Sequence, residues 1–80
     1  MDDNKISKFI LDELALFLRL ERKHIQLDTE FESFPTWDSF SALQLLIAIE
    51  AAYEVKLDPG RMFTCKTVSD LIDYVEALKN

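Results

Sequence analysis

The chain has 80 residues and a formal net charge of −6, with 49% hydrophobic residues, one glycine and two prolines. That length allows one domain, residues 1–80, burying only roughly 60% of the surface its unfolded chain exposes, which leaves little core for a walled active site. The acidity disfavours nucleic acid and anionic membrane, the apolar content excludes a disordered tail, and so few glycines and prolines disfavour an all-β fold.

Long stretches of Leu, Ile, Ala, Glu and Lys predict an all-α protein instead. The N-terminal Met1-Asp2-Asp3-Asn4-Lys5 lacks the basic region of a secretory signal. No apolar run reaches the ~18–20 residues of a membrane span. The single cysteine, Cys65, has no partner for an internal disulfide, which suits a reducing compartment. A cytoplasmic monomer without membrane insertion is expected, and Met1 with the short length favours a free-standing protein.

The first helix is expected from about Lys5 to Leu20, capped by Asp3 or Asn4. Ile6, Phe9, Ile10, Leu14, Phe17 and Leu18 recur at three- and four-residue spacing and gather on one face. Glu21-Arg22-Lys23-His24 follows, with cations that suit a helix C-terminus. A long loop, about His24 to Trp37, comes next, pinned by Ile25, Leu27, Phe31 and Phe34. Pro35 closes any helical tendency before it.

A second helix is expected from Asp38 or Ser39 to about Glu54. Its residues Ala42, Leu45, Leu46, Ile49 and Tyr53 form one apolar stripe at 100° per residue. The opposite side carries Phe40, Gln44, Ile47 and Ala51, flanked by Leu43 and Glu50. A helix apolar on nearly every side is either deeply buried or meets a partner. This side is read as a docking surface, the alternative being that Phe40 and Ile47 finish the core.

Val55-Lys56-Leu57 is an extended linker, and Asp58-Pro59 opens a short helix to Thr64 with proline at its favoured first position. Thr67 and Asp70 approximate a capping box for the last helix, whose stripe is Val68, Leu71, Ile72, Val75 and Leu78.

Enzyme constellations are missing from this pattern. His24 sits among charged neighbours as a solvated loop residue, and Cys65 reads as a small, partly buried side chain. No His/Cys cluster has metal-ligand spacing, and one glycine cannot make a phosphate-cradling loop. What remains is Trp37-Asp38-Ser39-Phe40, where the long loop meets the apolar helix.

Here the sequence resembles the phosphopantetheine-binding family of acyl and peptidyl carrier proteins. The resemblance rests on Asp38-Ser39 at the start of the second helix, on the apolar run Leu45-Leu46-Ile47-Ala48-Ile49-Glu50, on Tyr53-Glu54-Val55-Lys56-Leu57, and on Thr67-Val68-Ser69-Asp70-Leu71. It implies a four-helix bundle with three longer helices, a short third one and a long loop between the first two. It also implies that Ser39 carries a 4'-phosphopantetheine group derived from coenzyme A, that Asp38 aids recognition by the modifying transferase, and that the chain is a carrier, not an enzyme.

A phosphodiester suits a helix N-terminus, where unpaired amides and the dipole favour negative charge. The plainer reading is that Asp38-Ser39 only caps the helix. Ser33 and Ser41 are competing hydroxyls; Ser39 alone follows the aspartate. Acyl, polyketide or aminoacyl groups would be carried as thioesters, delivered by a ligase and passed to synthase or transferase enzymes.

The sequence departs from the family in three places. Phe40 replaces the usual leucine, and Pro35-Thr36-Trp37 stands where many relatives have a glycine-containing turn. Trp37 either packs back on the loop or flanks the arm. Gln44, Ala51 and Ala52 occupy positions commonly acidic in fatty-acid carriers, which points to a dedicated partner using apolar contact instead of general fatty-acid synthesis. Two other functions stand beside the carrier: an unmodified helical adaptor of the same fold, and a noncovalent binder of hydrophobic ligands.

Overall fold

A computed structural model describes residues 2–79, with side chains described from Lys5 onward. Its first helix, α1, spans Asp2–Leu18, starting ahead of the expected Lys5. The side chains of Asp3 and Asn4, on which the expected cap falls, lie outside the described residues. Ile6, Ile10, Leu14 and Leu18 are buried along one stripe, as the spacing predicts, whereas Phe9 and Phe17 are half-buried and Leu11, outside the expected set, is buried as well.

The far end closes two residues earlier than expected because Arg19 turns left-handed, with φ 56°. The Leu20 amide then donates to the Ala15 carbonyl at 3.1 Å, the six-to-one bond of a Schellman stop. Arg22, Lys23 and His24 form a separate 3-10 turn and do not extend the helix. Arg22 reaches back to Asp12, Nε to Oδ1 3.2 Å, and Lys8 meets the other oxygen at 2.8 Å.

The loop folds back against the start of the last helix, α4, Val68–Lys79. Phe31 N–H donates to Lys66 O at 2.9 Å, Val68 N–H to Thr29 O at 3.1 Å and Ser69 N–H to Leu27 O at 2.8 Å. Ile25, Phe31 and Phe34 are buried beneath it. The expectation for Leu27 is overturned: its side chain is 51% exposed. Its backbone carbonyl, which caps an orphan amide of α4, is what ties that point down.

α2 runs over Ser39–Tyr53 and buries Ala42, Leu45, Leu46 and Ile49. Tyr53, at its end, is half-buried; its hydroxyl donates to Lys5 O at 3.2 Å and its ring meets Phe9 edge-on at 5.5 Å. Glu54 stops the helix in a left-handed conformation, φ 54°. The short α3, Pro59–Thr64, is capped by Asp58, whose Oδ1 accepts Gly60 N–H at 3.0 Å, and it buries Met62.

At α4 the capping box closes fully despite the shorter acid. Asp70 N–H donates to Thr67 Oγ1 at 3.1 Å, and Asp70 Oδ2 accepts the amides of Lys66 at 3.1 Å and Thr67 at 3.2 Å. Val68, Leu71, Ile72 and Val75 are buried, but Leu78 is exposed, so the stripe ends one turn early. No strand occurs among the described residues; an isolated bridge joins Glu30 to Thr67. The architecture is the expected all-α bundle with three longer helices, a short third and a long first loop.

Candidate functional site

The junction of loop and α2 is held from both sides. Phe31 and Trp37 stack with centroids 4.7 Å apart at an interplanar angle of 18°, and Phe34 leans against both rings at 6.3 Å. Trp37 therefore packs back on the loop, the first of its two alternatives. Trp37 N–H donates to Phe34 O at 3.2 Å, which sets the direction in which the chain enters α2.

Asp38 is the N-cap, with extended backbone at φ −153°, ψ −176°. Its Oδ1 accepts Ser41 N–H at 2.9 Å, and its carbonyl accepts Ala42 N–H at 3.0 Å. Ser39 is the first helical residue and is exposed. The first turn's other amides, at Ser39 and Phe40, face out of the helix end, where a phosphate oxygen finds N–H donors and the positive dipole end. An exposed serine beside unpaired first-turn amides fits a phosphodiester. The dipole contributes roughly 0.3–1 kcal/mol at such a site.

The competing hydroxyls are engaged elsewhere. Ser33 Oγ donates to Glu30 O at 2.6 Å, and the half-buried Ser41 directs its Oγ to Thr36 O at 3.5 Å. Of the three serines, Ser39 alone opens α2 directly after the cap.

Beyond Ser39, the outer side of α2 lies open. Phe40 is 67% exposed, Ile47 62% and Leu43 40%. Gln44 and Ala51 are exposed beside them. Phe40 and Ile47 do not finish the core, which removes the alternative weighed from sequence. Glu50 differs: it is half-buried, and its Oε2 accepts Leu57 N–H at 2.8 Å. Sequence reasoning missed a further exposed aromatic, Phe63 on α3. In so short a helix no apolar period separates it from its buried neighbour Met62.

Cys65 is half-buried, and burial, then the nearby Asp70 carboxylate, push its thiol above the ordinary value against the pull of Arg61. A thiol kept protonated in this way is a poor nucleophile. It lines an open groove of about 380 Å³ between α3 and α4, where Arg61 lies over the Tyr74 ring at 5.3 Å. His24 is exposed on its 3-10 turn. No group of three His, Cys, Asp or Glu side chains is placed to hold a metal among the described residues.

Comparison with known proteins places the chain in a family. Residues 8–75 match the family model described as a phosphopantetheine attachment site. The chain is 32% identical over 66 residues to an acyl carrier protein of Aster yellows witches'-broom phytoplasma, covering 82% of this chain and 87% of that one. It is 31% identical over 62 residues to the acyl carrier protein of Onion yellows phytoplasma, covering 78% and 82%. A Rickettsia canadensis acyl carrier protein is 29% identical over 73 residues, covering 91% and 85%.

Proposed function

The chain belongs to the family of carriers that bear a phosphopantetheine attachment site, and on that premise we propose that Ser39 holds the arm. Its role is that of a carrier, and the family's prosthetic group is a covalently bound 4'-phosphopantetheine. The observation that carries the assignment to Ser39 is its exposed hydroxyl at the amide end of α2, directly after a cap that fixes the helix start. A transferase moves the arm from coenzyme A to this hydroxyl; Asp38 holds the first turn rigid for it and offers a carboxylate for recognition. The arm supplies a terminal thiol, and so a thioester to an acyl, polyketide or aminoacyl group.

The chain's own part is to present Ser39 and a surface. That surface is Phe40, Leu43, Gln44, Ile47 and Ala51; Glu50 lies next to it, with its Oε2 taken by the Leu57 amide. Its partners are the transferase, an activating ligase and downstream synthase or transferase enzymes, all met by a cytoplasmic monomer. Because the face is apolar and nearly uncharged, it suits a dedicated biosynthetic partner better than general fatty-acid enzymes, whose carriers use acidic contacts. Near-normal turnover of the loaded protein by housekeeping fatty-acid enzymes would count against that specialisation.

Incubation with a broad-specificity phosphopantetheinyl transferase and coenzyme A tests the carrier assignment. The expected result is the added mass of one phosphopantetheine, lost in Ser39→Ala. A folded protein that takes no added mass favours the adaptor, for which the exposed Phe40 and Ile47 would be the whole interface. The chain has no helix among its described residues long and apolar enough to cross a membrane.

A further inference from the structure

Glu50 stands on α2 beside the docking face, yet its carboxylate is turned along the chain. Its Oε2 accepts the Leu57 amide at 2.8 Å in a part-buried setting. The very next amide, that of Asp58, donates to the Tyr74 hydroxyl of α4 at 2.9 Å. Two consecutive amides ahead of α3 are therefore held by side chains from two different helices. Arg61, on α3, then lies over the same Tyr74 ring.

With six residues, α3 is far too short to be stable on its own. Its placement comes from the buried Leu57 and Met62 and from these side-chain fastenings. Its rotation follows. Met62 points into the core and Arg61 toward Tyr74, so a further step of about 100° turns Phe63 away from Tyr74 and outward. There it is 52% exposed.

We propose that Glu50 is a positioning residue: with Tyr74 it fastens the linker, and so fixes α3 and its exposed Phe63 relative to α2. What α3 serves in docking rests on the carrier reading above; the fastening itself rests on geometry alone. An acid read by a partner acts through its charge, whereas a fastening acts through an acceptor oxygen. Glu50→Gln keeps the oxygen and removes the charge, and Glu50→Ala removes both. Tyr74→Phe keeps the ring under Arg61 and loses the acceptor. Glu54→Gln, at an exposed acid one turn on, controls for charge.

Amide hydrogen exchange on the full chain, with the kinetics of loading by a broad-specificity transferase and coenzyme A, tests this. Glu50→Ala and Tyr74→Phe should each speed exchange across residues 57–65 by about tenfold, the scale of losing one bond to a charged or aromatic-hydroxyl acceptor. Core amides at Leu14 and Val75 should stay within about twofold, and Glu50→Gln, which keeps a weaker neutral acceptor, should speed exchange at 57–65 less than Glu50→Ala does. Glu50→Ala should raise KM for loading with kcat retained, while Glu50→Gln and Glu54→Gln leave KM unchanged. Unaltered exchange at 57–65, a uniform rise over the whole chain, or a Glu50→Gln KM as high as that of Glu50→Ala would each overturn the proposal. If the unmutated chain takes no phosphopantetheine, the carrier reading falls and the exchange pattern alone decides the fastening.

Discussion

Three serines lie in or next to the junction that opens α2, and their hydrogen bonds rank them. Ser33 and Ser41 direct their hydroxyls to backbone carbonyls, whereas Ser39 is exposed at the helix end. Ser33→Ala and Ser41→Ala are expected to load as the unmutated chain does, measured by intact mass over time. Asp38 combines two duties that one substitution separates. Asparagine caps a helix about as well as aspartate, so Asp38→Asn should keep its denaturation midpoint while loading more slowly. Asp38→Ala should load slowly and also lose about 0.5–2 kcal/mol, the range for a missing cap. An Asp38→Asn protein that loads at full rate would reduce the residue to a cap.

Among the elements, α2 is divided between two jobs. Leu45 and Ile49 are fully buried, so Leu45→Ala should cost about 2–5 kcal/mol in chemical denaturation. Phe40→Ala and Ile47→Ala, both on the exposed side, should change stability by no more than about 0.5 kcal/mol. At α4, the amides of Thr67 and Lys66 hold the Asp70 carboxyl below its ordinary 3.8. Since its folded value is the lower one, its contribution is complete above the ordinary carboxylate range and is lost as pH falls through the folded value. Thermal midpoints followed from neutral pH down to about pH 3 should therefore fall less steeply for Asp70→Asn than for the parent. The helices were legible because their caps and stripes are local: Asp58-Pro59 and Thr67 with Asp70 mark starts that the structure keeps. Leu27, Leu78 and Phe63 were not, because their exposure depends on how distant segments cross. The Glu50 bond to Leu57 was hidden for the same reason, since it joins a helix to the linker beyond its own end.

Over the whole molecule, the charge of −6 gives a poor picture of the surface around Ser39. Asp38 and Glu50 are both occupied by backbone amides, and the cations Arg61 and Lys66 stand by Tyr74 and Asp70 at the α4 side. What faces outward from α2 is chiefly apolar. Loading kinetics should then change little as ionic strength rises well beyond about 0.1 M, where exposed ion pairs are screened. A steep rise in KM with salt would show that charge steers the encounter. The helices were readable from composition and periodicity, whereas the four-helix arrangement and the candidate site at Asp38-Ser39 came only with the family resemblance. The most direct measurement uses the absence of Lys and Arg between Lys23 and Lys56, so that trypsin releases Ser33, Ser39 and Ser41 on one peptide. Fragmenting that peptide from the transferase-treated protein should place phosphopantetheine on Ser39 alone; finding it on Ser33 or Ser41, or on none of the three, would contradict the account.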